Sequence, residues 1–198
     1  MRAGKRACNP LRVSLPEILS LRKYFCLLKT LYLVRHAKSS WNIPGLGDID
    51  RPLNERGYSD AHEMAKRIRK KNSSQGAGSS GNIIISSPAI RAVSTALIFA
   101  RTFSIDPSRV HLHPLLYDTS SKHYQSVIAS LQDEFNNAFV FGHNPVITET
   151  ANLLGGTELV DMATCGIVGI EFDVLTWKQA AEADGQLIFY DFPKNDGA

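Results

Sequence analysis

Three short stretches of this chain end in residue types that bind and attack anions. "LYLVRHAKSSWN" (31–42) sets Arg35 and His36 directly after four apolar residues, "SSPAIR" (86–91) ends in Arg91, and "FGHNP" (141–145) carries His143. A guanidinium offers paired N–H donors in a fork that matches phosphate oxygens. A neutral imidazole, with a reference pKa of about 6.5, is a competent nucleophile at neutral pH. Taken singly, each residue also reads blandly: Arg91 as a helix-surface cation, His143 as a packed or capping histidine, and the Arg35–His36 pair as structural. What separates the readings is whether the chain brings the three stretches together.

The flanking patterns say that it does. "LYLV" (31–34), "NIIIS" (82–86), "VHLH" (110–113) and "AFVF" (138–141) are short apolar runs of the kind that buried parallel strands show. Helical stretches lie between them. After Asn54, a natural N-cap, Tyr58, Ala61, Met64, Ala65 and Ile68 recur at spacings of three and four and the run ends in basic residues. Val93, Ala96, Leu97 and Ala100 repeat that period, a third helix is expected over 121–134, and a fourth begins at Pro145. "NSSQGAGSSG" (72–81) reads as a loop, and "CGIVGIEFDV" (165–174) and "QLIFYDF" (186–192) as two late strands joined by a polar connection. Strands alternating with helices imply a single-domain, three-layer α/β fold with a mostly parallel central sheet.

In such a sheet the carboxyl ends of parallel strands share one edge, so Arg35, His36, Arg91 and His143 should converge in a cationic crevice. Ser87 with Pro88, and Asn144 with Pro145, read as helix N-caps followed by a first helical proline. That puts Arg91 in a first helical turn, where the helix dipole opposes a cation unless an anion is near. Two arginines, two histidines and two helix N-termini suit a doubly charged tetrahedral group such as phosphate. With no Gly-rich P-loop, a nucleotide cradle is not indicated.

Composition narrows the class. The chain has 198 residues, 43% of them hydrophobic and 21% charged, which is enough for one substantial core. Its net charge of +3 comes from the N-terminus, because residues 1–30 hold seven Lys/Arg against Glu17 alone and the remainder holds fifteen against eighteen acids. The body is therefore slightly negative, and "KRIRKK" (66–71) reads as a solvated helix face, so a nucleic-acid partner is not expected. Cys8, Cys26 and Cys165 do not form a disulfide framework. Residues 1–30 lack the apolar run of a signal peptide or membrane span, and we expect a basic N-terminal extension outside a domain of residues 31–198. The expected location is cytoplasmic, or organellar if residues 1–30 are a transit peptide; no membrane partner is expected.

"LVRHAKSSWN", "DRPLNERG" (50–57), "SSPAIRAVSTA" (86–96) and "FGHNP" together resemble the histidine phosphatase superfamily, of phosphoglycerate mutase-like fold, and within it the short SixA-type phosphohistidine phosphatases. The resemblance runs from about Leu31 to Lys194 and leaves residues 1–30 outside. It implies that His36 is the nucleophile that takes the phosphoryl group and that Arg35, Arg91 and His143 complete the phosphate pocket. It also matches Asn42 to a phosphate-contacting asparagine, and implies that no metal or other cofactor is needed. Larger members of the superfamily protonate the leaving group with a Glu or Asp. Here Asp118, in "LLYDTSS", is the candidate general acid, and Asp48 and Asp50 in "GLGDID" are weaker ones. The lack of a clear acid favours a phosphoramidate substrate, whose imidazole leaving group can carry its own proton.

His111 and His113 alternate along one strand face, but no third ligand stands at metal-site spacing, and His62, Cys165 and Trp41 are assigned no chemistry. The implied partners are a phosphorylated protein histidine or a small phosphorylated substrate. The leading expectation is a phosphohistidine phosphatase. A broad phosphomonoesterase or mutase is the alternative, and a non-enzymatic phosphate-binding module ranks behind both.

Overall fold

The computed structural model describes residues 28–74, 81–117 and 119–195. Within them the order is β1 (Leu28–Arg35), α1 (Glu55–Ser74), β2 (Asn82–Ser86), α2 (Ile90–Thr102), β3 (Val110–Leu112), α3 (Ser121–Ala129), β4 (Asn137–Gly142), α4 (Val146–Gly155), β5 (Ile167–Asp173), α5 (Trp177–Ala180) and β6 (Gln186–Asp191). The described strands form one sheet in the order β3-β2-β4-β1-β5-β6. β1 runs parallel to β4, and β2 to both β3 and β4; β5 is antiparallel to β1 and to β6, so it alone runs against the rest.

The period-two alternation of the strands divides the core into two layers. Leu31, Leu33, Ile83, Ile85, Ala138 and Val140 face α3, α4 and α5, while Tyr32, Val34, Ile84, Phe139 and Phe141 face α1 and α2. The apolar stripe expected for α1 is the buried one, with Ala61, Met64, Ala65 and Ile68 in the core. Asn54 caps that helix by accepting from the Gly57 amide at 2.8 Å.

Three boundaries differ from the sequence reading. β1 starts at Leu28 rather than Leu31, because Lys29 is almost fully buried with its amine on the carbonyls of Asp133 (2.6 Å) and Phe135 (2.9 Å). A buried charge that is fully hydrogen-bonded can stand inside a strand. α3 ends at Ala129, short of the expected 134, and the connection before β6 contains α5, held by a Thr176–Gln179 capping box. Its Trp177 is fully buried and donates from its indole nitrogen to the Phe135 carbonyl at 2.9 Å.

The register sets up the site. Arg35 stands opposite Gly142 and Ser86 opposite Phe141, so β1, β4 and β2 end level on adjacent lines of the sheet. The ladder continues one step beyond, with the His36 amide donating to the Gly142 carbonyl (3.1 Å) and the Ser87 amide to Phe141 (2.9 Å).

Candidate active site

At that edge the structure brings His36, Arg91 and His143 together. His36 follows β1 directly, and its Nδ1 lies 2.8 Å from the Ala37 carbonyl. A carbonyl only accepts, so Nδ1 holds the proton and Nε2 keeps a lone pair. Arg91 Nε donates toward that Nε2 at 3.3 Å. His143 lies across from His36, with ring centres 5.0 Å apart. Its Nδ1 faces Arg91 Nη2 at 3.4 Å and its Nε2 lies 2.7 Å from Ser87 Oγ. A guanidinium only donates, so Nδ1 is the acceptor and Nε2 carries the hydrogen toward Ser87. Tyr124 positions the His143 backbone, since its hydroxyl accepts from the His143 amide at 3.2 Å while donating to Leu116. Any Cβ at Gly142 would overlap that tyrosine.

Arg35, at the end of β1, turns its Nη1 to Asp161 (3.1 Å) and to the Met162 carbonyl. Its Nε is buried without a hydrogen-bond partner, a donor that an anion in the crevice could satisfy.

Both imidazoles are held neutral. Burial, reinforced by the nearby arginines against the Ala37 hydrogen bond, pushes His36 down to about 4. Burial, then the charges of His36 and Arg91, takes His143 to about 3.

One other expected residue lies away from this cluster. Asn42 lies in an exposed segment, where its amide donates to Ser40 Oγ at 3.2 Å and its side chain makes no hydrogen bond to the cluster. The chain turns outward there because neighbouring Trp41, 76% exposed, stacks its ring on the Arg51 guanidinium at 3.2 Å. Asp118 lies outside the described residues. The expected helix caps also differ. α2 is capped at Ala89 and α4 at Pro145, because Ser87 serves His143 while Asn144 binds Asp161, the Met162 carbonyl (2.9 Å) and Thr148 (2.8 Å). Arg91 still falls in the first turn of α2.

Asp48, ranked low from sequence, occupies the centre of the site. Its Oδ2 accepts from Arg91 Nη2 (2.8 Å) and the Tyr117 hydroxyl (3.0 Å), and its Oδ1 from Arg51 Nη1 (2.7 Å). Partial burial disfavours the charge, but the hydrogen bonds from Tyr117, Arg91 and Arg51 outweigh it and hold this carboxyl below its usual range. Arg51, Ser87 and Tyr117 were not assigned to the site from sequence. The only advance signals were Arg51 within "DRPLNERG" and the polar "SSP" run. Beside Asp48 and Arg51 lies an open depression lined also by Ser40, Trp41, Ile43 and Leu46. Elsewhere His111 is exposed and His113 accepts from the Leu115 amide, and no group of three metal-ligating side chains occurs among the described residues. No described helix is long and apolar enough to cross a membrane.

A single sheet between two helical layers, presenting arginines and histidines at the carboxyl edge of its parallel strands, defines an α/β protein with a cationic crevice suited to an anion. The family model of the histidine phosphatase superfamily (branch 1) matches residues 31–152, and the chain belongs to that superfamily. It is 28% identical to a protein of Agrobacterium tumefaciens named as the phosphohistidine phosphatase SixA; the match covers 82% of this chain and 97% of that structure, with a TM-score of 0.67. A chloroplastic Arabidopsis thaliana protein of uncharacterized function is 27% identical over 165 residues, 79% of this chain and 72% of the relative. A Hydrogenobacter thermophilus protein named as a phosphoserine phosphatase is 32% identical over 117 residues, 56% of this chain and 52% of that one.

Proposed function

We propose that this chain hydrolyses phosphohistidine on a protein substrate through a covalent phosphohistidine formed at His36. The observation that carries the reading is the approach of Arg91 Nε to His36 Nε2 at 3.3 Å, beside an Asp48 carboxylate that accepts from Arg91 and Arg51. In the first step Nε2 attacks phosphorus and the bond to the substrate imidazole nitrogen breaks with its electron pair staying on that nitrogen, so that the substrate ring, protonated from solvent on its other nitrogen, leaves as neutral imidazole. In the second, water attacks the same phosphorus and the His36–phosphorus bond breaks, releasing phosphate. Arg91, Arg35 and His143 hold the phosphoryl oxygens through both steps, where positioning and charge stabilisation supply most of the catalysis. Neither step needs a metal or cofactor.

Asp48 is held ionised and so serves poorly as an acid for an alkoxide, which supports a phosphoramidate over a sugar phosphate. The open depression beside it suits a protein surface, and the likeness to a protein named SixA supports the same substrate. A domain that begins with β1 at Leu28 would carry this activity. The chloroplastic relative supports an organellar location over the cytoplasmic one first expected.

The relative named as a phosphoserine phosphatase favours a second reading, a small-molecule phosphomonoesterase. The deciding experiment compares kcat/KM on a phosphohistidine protein with kcat/KM on phosphoserine and sugar phosphates. A clear preference for phosphohistidine is expected. A higher value on an alkyl phosphate would reject our substrate and promote the phosphomonoesterase.

A further inference from the structure

Every nitrogen of the Arg91 guanidinium is engaged within the protein. Nε faces His36, Nη1 donates to the Asp48 carbonyl at 2.5 Å, and Nη2 donates to Asp48 Oδ2 at 2.8 Å while facing His143. The Arg91 side chain is 7% exposed, so it has little other surface from which to bind a ligand. A phosphoryl group reaching His36 Nε2 arrives beside Arg91 and needs the donors that Asp48 now holds. The carboxylate thus stands where a phosphoryl oxygen would, with Tyr117 and Arg51 donating to it as they could to a substrate anion. A dianion and a carboxylate cannot share these donors without strong like-charge repulsion.

The chain around Asp48 is built to yield. Residues 41–50 are all exposed, and Gly45 has a φ of +79° with open space around it, whereas Arg51, which follows, is buried. Asp48 itself is half-exposed. Arg35 differs, because its unpartnered Nε can accept a new ligand while Nη1 stays on Asp161.

We infer that Asp48 is an internal competitor of the substrate: its carboxylate is displaced from Arg91 when a phosphoryl group binds, so that Asp48 sets the affinity of the pocket as a positioning residue acting through Arg91. This rests on the phosphoryl-binding role proposed above for the His36–Arg91–His143 cluster.

The test is calorimetric titration of tungstate, a tetrahedral dianion, into the parent protein, Asp48→Asn and Asp48→Ala, each checked for folding by thermal melt. Both variants should bind roughly tenfold more tightly than the parent, with KM for the phosphorylated substrate falling in step and kcat changing less. Equal or weaker binding in variants that fold would overturn the inference while leaving the pocket intact, and would mean that Asp48 preorganises Arg91. Tungstate binding to none of the three would reject the pocket and the inference together. On the parent protein alone, hydrogen exchange at the Asp50 and Arg51 amides, now bonded to the Gly47 and Asp48 carbonyls, should speed up on saturation with tungstate. Unchanged or slower exchange would overturn displacement even if the variants fail to fold.

Discussion

Arg91 Nε and His36 Nε2 lie 3.3 Å apart, with the other ring nitrogen of His36 committed to the Ala37 carbonyl. An anion gripped by Arg91 is therefore delivered to the His36 nitrogen that holds a lone pair. Positioning of this kind is worth several orders of magnitude in rate, because it replaces an encounter in solution by a fixed approach.

His36→Ala should abolish phosphoenzyme formation and lower kcat by at least about 10³-fold. Rapid quench with labelled substrate should trap an acid-labile, alkali-stable phosphoryl group in the parent protein. Full labelling of the variant would move the nucleophile to another residue.

Arg91→Lys keeps the charge but loses the planar fork that faces His36, Asp48 and His143 together. We expect kcat/KM to drop about 10²-fold or more, against the near-neutral effect of such a change on an open surface. Steady-state kinetics on the preferred substrate measure it, and a loss below about threefold would show that the fork is not used.

Stability should fall as pH drops from about 6.5 toward 4. His36 and His143 are depressed to about 4 and about 3 in the folded state. In that window the unfolded chain binds more protons than the native one, so each imidazole removes up to about 1.4 kcal/mol of stability per pH unit. Urea melts across pH 7 to 4 should show the slope. His143→Gln should flatten it, and an unchanged slope in that variant would assign the effect to other groups.

Trp177→Ala should cost about 3–5 kcal/mol in a urea melt. The ring is fully buried against the β-sheet, and its loss leaves Lys29 as the remaining side-chain donor to the Phe135 carbonyl. A cost below about 1 kcal/mol would mean that the layer of α5 closes over the gap.

Removing residues 1–26 should leave melting and turnover unchanged, whereas removing residues 1–30 should destabilise the domain. Leu28, Lys29 and Thr30 pair with β5, Thr30 also stands opposite Asn137 of β4, and the Lys29 amine ties down two buried carbonyls. Matching melts for the two truncations would place the domain boundary after Thr30.

The fold class and the core of the site were legible in the sequence for a local reason. A buried strand shows as an apolar run, a turn stops it, and the carboxyl ends of parallel strands share an edge. Asn82–Ser86 could be read to the residue because Gly81 and Ser87-Pro88 punctuate both ends. His36, Arg91 and His143 sit within a few residues of such ends, so topology alone brings them together, whereas Arg35 turns toward Asp161. The start of β1 was misread because a lysine looks wrong for a buried position until the carbonyls that solvate it, more than a hundred residues away, are known. Ser87 and Asn144 carry cap signatures, but each side chain has a better partner from across the fold. Asn42 follows the histidine at a suggestive distance, yet spacing does not determine which way an exposed loop turns, and the Trp41–Arg51 stack does. The meeting of Asp48, Arg51, Arg91 and Tyr117 was decided only by the tertiary structure. A carboxylate in a Gly-rich loop has no periodicity to read, and its partners are chosen by whichever cations the packed helices leave within reach.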